Sequence, residues 1–192
     1  PDARLAVALA RAGAVGVVGL GLDRERGIAA LDRALKHTTG GIGALVRAEI
    51  DLDPAILSSE LHLVILAPGV DPLPFATKED RGWTLLAQVT SLDDALEAES
   101  AGVDGLIAKG SESGGRIGGE TTFVLLQRLT SSTTLPVYAQ GGVGLRTGAA
   151  CLAGGAEGLV IDAQLALVRE CGLPETITKI LSRLDGSETV EV

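Results

Sequence analysis

Short apolar runs of strand-forming residues alternate along this chain with helix-period segments, and that alternation admits few folds. Strands joined by helices pair in parallel, and a strand apolar at nearly every position is covered on both faces. The runs are GVVGL at residues 16–20, GALVRA at 43–48, LHLVIL at 61–66, WTLLAQV at 83–89, VDGLIA at 103–108, PVYA at 136–139 and EGLVI at 157–161. Helical segments occupy 2–12, 23–37, 92–101, 121–129, 145–153 and 163–170, with a short turn of helix at 54–59 and a last helix at 174–184. Their ends carry the usual signals. Asp2 and Ser91 stand where caps belong, Gly13 and Gly102 follow helices, and Ile28, Leu31 and Leu35 share one face. Residues 67–81 form a proline-rich loop, and 109–120 and 141–144 form glycine-rich ones.

A helix in front of these units implies a strand before it, because eight strand–helix units close a barrel. The expected fold is α/β: a TIM-type (β/α)8 barrel lacking its first strand in this chain. The barrel domain covers residues 1–186, with 187–192 a tail or linker. An open doubly wound sheet is the competing arrangement. Glycine-rich loops after several strands, on what would be one rim, favour the barrel.

Composition narrows the function classes. With 46% hydrophobic residues, 192 residues supply one sizeable core and not two. A net charge of −9 repels phosphates, and aromatics at 2% leave few platforms for bases, so neither nucleic acid nor an anionic membrane is an expected partner. Cys151 and Cys171 lack metal-ligand spacing and suit a reducing, cytoplasmic setting. No apolar run reaches membrane-spanning length. Met is absent even at position 1, so the chain is expected to begin inside a longer polypeptide.

Three loops at the C-terminal ends of late strands are candidate chemistry, because barrel enzymes build their sites there. AKGSESGGRIGG, residues 108–119, combines five glycines with Lys109, Glu112 and Arg116. Its glycines Gly110, Gly114 and Gly115 allow close backbone approach to a ligand, and the two cations attract anions. AQGGVG, residues 139–144, places Gly141 and Gly142 before a helix, where backbone N–H groups collect anions. VIDAQL, residues 160–165, supplies the last strand's half of such a site. Asp162 has the wrong charge for an anion and is read as the cap of helix 163–170. Lys109 also keeps open a phosphate-binding aldolase or isomerase, although no Schiff-base arrangement accompanies it. His37, near a helix end, and His62, inside a strand, are read as structural.

The segments GVDGLIAKGSESGGRIGG, LPVYAQGGV and GAEGLVIDAQLAL, preceded by QVTSLDDALEAESAGVD, resemble the nitronate monooxygenase (2-nitropropane dioxygenase-like) family of FMN barrels, which includes flavin-dependent enoyl reductases. The resemblance covers most of residues 83–170, and the opening PDARLAVALARAGAVGVVGLG is similar to the same family's first helix and second strand. It is strongest to the form embedded in large polyketide synthases, which carries VIDAQLALVRE. What this implies is FMN as cofactor, an acyl substrate, and other domains of the same polypeptide as partners. Gln88 and Lys109 fall on strand ends that face the flavin; Gly110 follows Lys109 as in the family's Gln-Gly, and Gly114 and Gly115 lie in the same cofactor-binding loop. Gly141 and Gly142 match the pair that holds its phosphate. Two positions depart from the family. Arg116 stands where the catalytic histidine follows Gly-Gly, and Asp162-Ala163 stands where the last strand ends in Gly-Thr or Gly-Ser.

A guanidinium stays protonated, so Arg116 cannot abstract a proton at neutral pH; with Lys109 it is read as a group that polarises a carbonyl or holds a phosphate. A carboxylate at Asp162 faces repulsion from phosphate of about 4 kcal/mol per pair of unit charges at about 4 Å and an effective dielectric near 20. The resemblance therefore implies an FMN-dependent oxidoreductase barrel domain of a polyketide synthase-type multidomain enzyme, reducing enoyl groups on acyl chains, with FMN weakly bound; the alternative is a barrel that has lost catalysis and serves as a structural or docking module. The sequence also predicts Lys109, Gly141 and Asp162 on one rim. The missing strand position has to be filled by upstream residues, by residues 189–192 or by a partner. Deleting residues 188–192 should lower the thermal midpoint if they close the barrel; an unchanged midpoint discards that source.

Overall fold

The computed structural model describes residues 2–184. The sequence-predicted tail at 187–192, and with it the strand-filling role considered for 189–192, lies outside them. Seven parallel strands form one sheet in chain order: β1 (Gly16–Gly19), β2 (Ile42–Val46), β3 (Leu63–Leu66), β4 (Thr84–Val89), β5 (Gly105–Lys109), β6 (Val137–Gln140) and β7 (Gly158–Val160). Each strand pairs with the next, and β1 and β7 are the two ends of the order. Sequential parallel order is that of a barrel; a doubly wound sheet would reverse direction midway. The fold is that of a TIM-type (β/α)8 barrel, of which the described residues supply seven strands, the first strand of the barrel not being among them.

The helices are α1 (Ala3–Arg11), α2 (Arg24–His37), α3 (Leu73–Ala76), α4 (Leu92–Ala101), α5 (Thr122–Ser132), α6 (Leu145–Ala153) and α7 (Glu175–Leu181). The predicted caps act as such. Asp2 accepts from the Arg4 N–H, Asp23 from that of Arg26 and Ser91 from that of Asp94, while Gly102 ends α4 in the left-handed region. Three expectations are corrected. The helix expected at 54–59 is only a 3-10 turn at Pro54–Ile56. The proline-rich loop contains α3, started by Pro72 and by Asp71 accepting from the Leu73 N–H at 3.0 Å. Residues 163–170 do not form a helix. They make a 3-10 turn at Ala163–Leu165 followed by further turns, with bonds running from i+3 to i, as from the Leu165 N–H to the Asp162 carbonyl.

The period-two alternation divides the strands between two cores. The larger lies between sheet and helices, where Leu85, Leu106 and Ala139 pack with Leu125, Leu126 and Leu129 of α5. The smaller fills the barrel: Ile65, Leu86 and Ile107, with Leu45, Tyr138 and Val160 against them. Both expected structural histidines are exposed, and His62 lies just before β3. None of the helices is long and apolar enough to cross a membrane, among the described residues.

Leu125 is fully buried. Leu125→Ala should lower unfolding free energy by about 2–5 kcal/mol in urea denaturation. Exposed Leu145→Ala should change it by less than about 0.5 kcal/mol.

Candidate functional site

At the C-terminal end of the strands the inner face turns from apolar to polar. Gln88 stands two residues beyond Leu86, Lys109 beyond Ile107, Gln140 beyond Tyr138, and Asp162 beyond Val160. The Gln88 Nε2–H donates to Gln140 Oε1 at 2.7 Å, and the Gln140 Nε2–H donates to Asp162 Oδ2 at 3.0 Å. This chain of bonds spans the mouth from β4 to β7. Lys109, Gln140 and Asp162 thus share one rim, and Gly141 directly follows Gln140.

Lys109 is only 6% exposed. It forms no salt bridge among the described residues, and the two glutamine amides beside it bond to each other and to Asp162. Burial holds its pKa below the ordinary lysine value; Asp162 pulls it back up and the Arg47 charge pushes it further down. Arg47 follows β2 and pairs with Glu49 at 3.3 Å.

The glycine-rich loop after β5 crosses this mouth. Gly110 is buried so tightly against the Thr122 N–H and hydroxyl, at the start of α5, that no side chain fits there. Its place is one of strand–helix contact. A Cβ on Gly115 would lie 3.5 Å from Lys109 Nζ, and one on Gly114 would meet nothing within 4 Å. Arg116 is exposed and reaches the β3 loop, its Nη1 2.7 Å from where a Cβ on Gly69 would be. It borders a cleft of ≈ 390 Å³ together with Gln88, Asp94 and Glu97. Burial raises the Asp94 pKa, but hydrogen bonds from the Thr90 N–H and hydroxyl and from Ser91 outweigh it, so the carboxyl lies below its ordinary value and clamps the end of β4.

Gly141 has φ +111°, and a Cβ there would lie 2.5 Å from Ser113 Oγ and 2.6 Å from Thr122 Oγ1. Gly142 packs on the Glu112 side chain, whose Oε2 accepts from the Thr122 N–H at 2.8 Å. At the phosphate end expected between β6 and β7, three backbone donors are engaged by side chains of the chain itself. The Gly144 N–H donates to Thr147 Oγ1 at 2.7 Å, that of Asp162 to Gln164 Oε1 at 3.0 Å, and that of Ala163 to Asp162 Oδ1 at 2.6 Å. Asp162 therefore caps the 3-10 turn while also facing Gln140. The inner layer offers amide donors, amide acceptors and one cation, a set that fits the polar edge of a flavin ring. The other end does not fit a flavin phosphate.

Gln140, Gln164, Arg47 and Thr122 were not singled out from the sequence. Gln140 carried a signal: a polar residue on the inward register of an apolar strand. Gln164 carried none, because its role depends on the approach of two loops.

A barrel with its polar layer at the C-terminal mouth has the architecture of a (β/α) barrel with its ligand site on that face. A family model described as nitronate monooxygenase matches residues 49–190, and the chain belongs to that family. It is 32% identical over 151 residues to a nitronate monooxygenase of Paraburkholderia phytofirmans, covering 72% of this chain and 39% of that protein. It is 24% identical over 180 residues to a (3aS,4S,5R,7aS)-5-hydroxy-7a-methyl-1-oxo-octahydro-1H-indene-4-carboxyl-CoA dehydrogenase of Rhodococcus jostii, covering 91% of this chain and 51% of that protein. The structure of FabK from Thermotoga maritima superposes with a TM-score of 0.88 at 26% identity, covering 95% of this chain and 61% of that one. The chain thus spans between 39% and 51% of the length of these two curated relatives.

The Lys109 shift sets a pH dependence. A lysine whose pKa falls on folding costs stability in full below its folded pKa, and the cost is relieved as pH rises from there toward 10.5. Lys109→Met should therefore melt above wild type at neutral pH, and the gap should shrink between the folded pKa and 10.5. Parallel melting curves across that range would show that Lys109 is not desolvated.

Proposed function

We propose that this chain is the barrel domain of a polyketide synthase-type multidomain enzyme and works as a flavin-dependent oxidoreductase on acyl thioesters, by enoyl reduction. The observation that carries the reading is the buried, unpaired Lys109 beside the Gln88–Gln140–Asp162 layer. Membership of the nitronate monooxygenase family and the carboxyl-CoA relative support it. Bound flavin would supply hydride transfer. Gln88 and Gln140 would orient its polar edge, and the Lys109 ammonium would stabilise negative charge gathering there. Arg116, at the cleft with Gln88, would hold the thioester carbonyl or the carrier's phosphate. With an arginine in that loop, Arg116 takes no proton from substrate, which favours reduction over proton abstraction.

Exposed Ile161, Leu167 and Leu173, all beyond β7 at the end of the strand order, support neighbouring domains of the same polypeptide as partners. A reducing cytoplasm suits the free thiols Cys151 and Cys171. A second reading, a barrel that has lost catalysis and serves as a docking module, draws on the poor fit of the phosphate end.

The test is NADPH consumption with crotonyl-pantetheine and added flavin. Lys109→Ala should lower kcat by about 100-fold, and Arg116→Ala should mainly raise KM for the thioester. No NADPH consumption at saturating flavin, by a protein that melts cooperatively, would favour the docking module.

A further inference from the structure

We infer that the anion cradle of this barrel is closed by its own side chains, Asp162 and Gln164 standing where a phosphate would bind, so that the mouth takes a ring or carbonyl ligand without a phosphate anchor. Barrels commonly hold phosphate between the loops of the last two strands and the start of a short extra helix. Here those elements are the loop after β6, the end of β7 and the 3-10 turn at Ala163–Leu165. Gln164 bridges the two loops. Its Nε2–H donates to the Val143 carbonyl at 2.8 Å, and its Oε1 accepts from the Asp162 N–H at 3.0 Å. One carboxylate oxygen of Asp162 takes the Ala163 N–H at 2.6 Å and the other takes the Gln140 amide at 3.0 Å. Thr147 Oγ1 holds the β6 loop from the helix side, accepting from the Gly144 N–H and donating to the Gly142 carbonyl, both at 2.7 Å.

An entering phosphate would have to displace the Gln164 bridge and meet a carboxylate of its own sign. Asp162 already serves as the anion of the site. It is the charge that draws the Lys109 pKa back up. Gln88, Gln140 and Lys109, each under a tenth exposed, are the polar groups of the inner layer left to meet a neutral ligand. Asp162 and Gln164 are therefore specificity-determining residues that select against phosphate.

The inference rests on the flavin reading for its probes, riboflavin and FMN, which share a ring and differ by the phosphate. Each is titrated with the protein, following quenching of flavin fluorescence. Wild type should bind FMN no more tightly than riboflavin. Asp162→Gly with Gln164→Ala should tighten FMN at least about tenfold while riboflavin changes less than about threefold. Asp162→Asn, which keeps the size of the side chain and removes its charge, should tighten FMN in the same direction and guards against misfolding of the double variant. Wild type binding FMN tenfold tighter than riboflavin, or folded variants that leave the FMN-to-riboflavin ratio unchanged, would overturn the closed cradle. Failure of riboflavin to bind wild type, with FMN gained by the variants, would count against the flavin reading and leave the closed cradle standing. If neither probe binds wild type or variants, both ideas fall.

Discussion

The parallel register of β4, β5 and β6 is the constraint on which the mouth of this barrel depends. Gln88 is level with Ile107, Ile107 with Tyr138, and Lys109 with Gln140. Because side chains alternate strictly, the register that buries Leu86, Ile107 and Tyr138 inside the barrel also brings the next inward positions to its C-terminal rim. A slip of one residue on β5 would turn Lys109 into the helix layer and Ala108 into the mouth. The apolar interior thereby fixes the chemistry above it. Moving the polar layer would require exposing the small core.

Two kinds of close contact hold the rim in place. Gly110 and Gly141 let the loops after β5 and β6 press onto Thr122 at the start of α5, and Gly141 also onto Ser113 of the β5 loop, atoms that occupy the space a Cβ would need. The Asp94 carboxylate ties the start of α4 to the end of β4 through Thr90. Such contacts are short-range and geometric, so they position side chains to within a fraction of an ångström. The charges they position are few. One buried cation, Lys109, faces one half-buried carboxylate, Asp162, with neutral amides between them. Its desolvation is tolerable because the amides screen little and the carboxylate offsets part of the cost.

The balance of charge at the rim sets this member of the nitronate monooxygenase family apart from a barrel built around a phosphate. Backbone N–H groups at a helix start attract any anion within reach, including one supplied by the chain. Asp162 supplies it from the adjacent turn, braced by the neutral Gln164 amide, and local bonds of this kind form without the loss of translational freedom that a separate ligand suffers. An internal carboxylate therefore competes effectively with a free phosphate, and the ligand preference of the mouth shifts toward its neutral groups.

The strand–helix alternation, the sequential caps and the rim location of Lys109, Gly141 and Asp162 were legible in the sequence because each follows from local periodicity. Apolar runs mark strands, Asp2 and Ser91 mark helix starts, and the residues that follow a strand lie at its C-terminal end. Short and irregular elements were not legible: α3 has a single turn, and Ala163–Leu165 is a 3-10 turn that does not go on into a helix. The residues themselves determined a parallel barrel with a cationic, glycine-rich mouth. Only the tertiary structure decided that Gln140 links Gln88 to Asp162, that Arg116 reaches the β3 loop and not Lys109, and that Gln164 closes the gap beside Val143. Those contacts join residues 21 to 52 positions apart, and no local pattern records a distance that is set by the curl of the sheet.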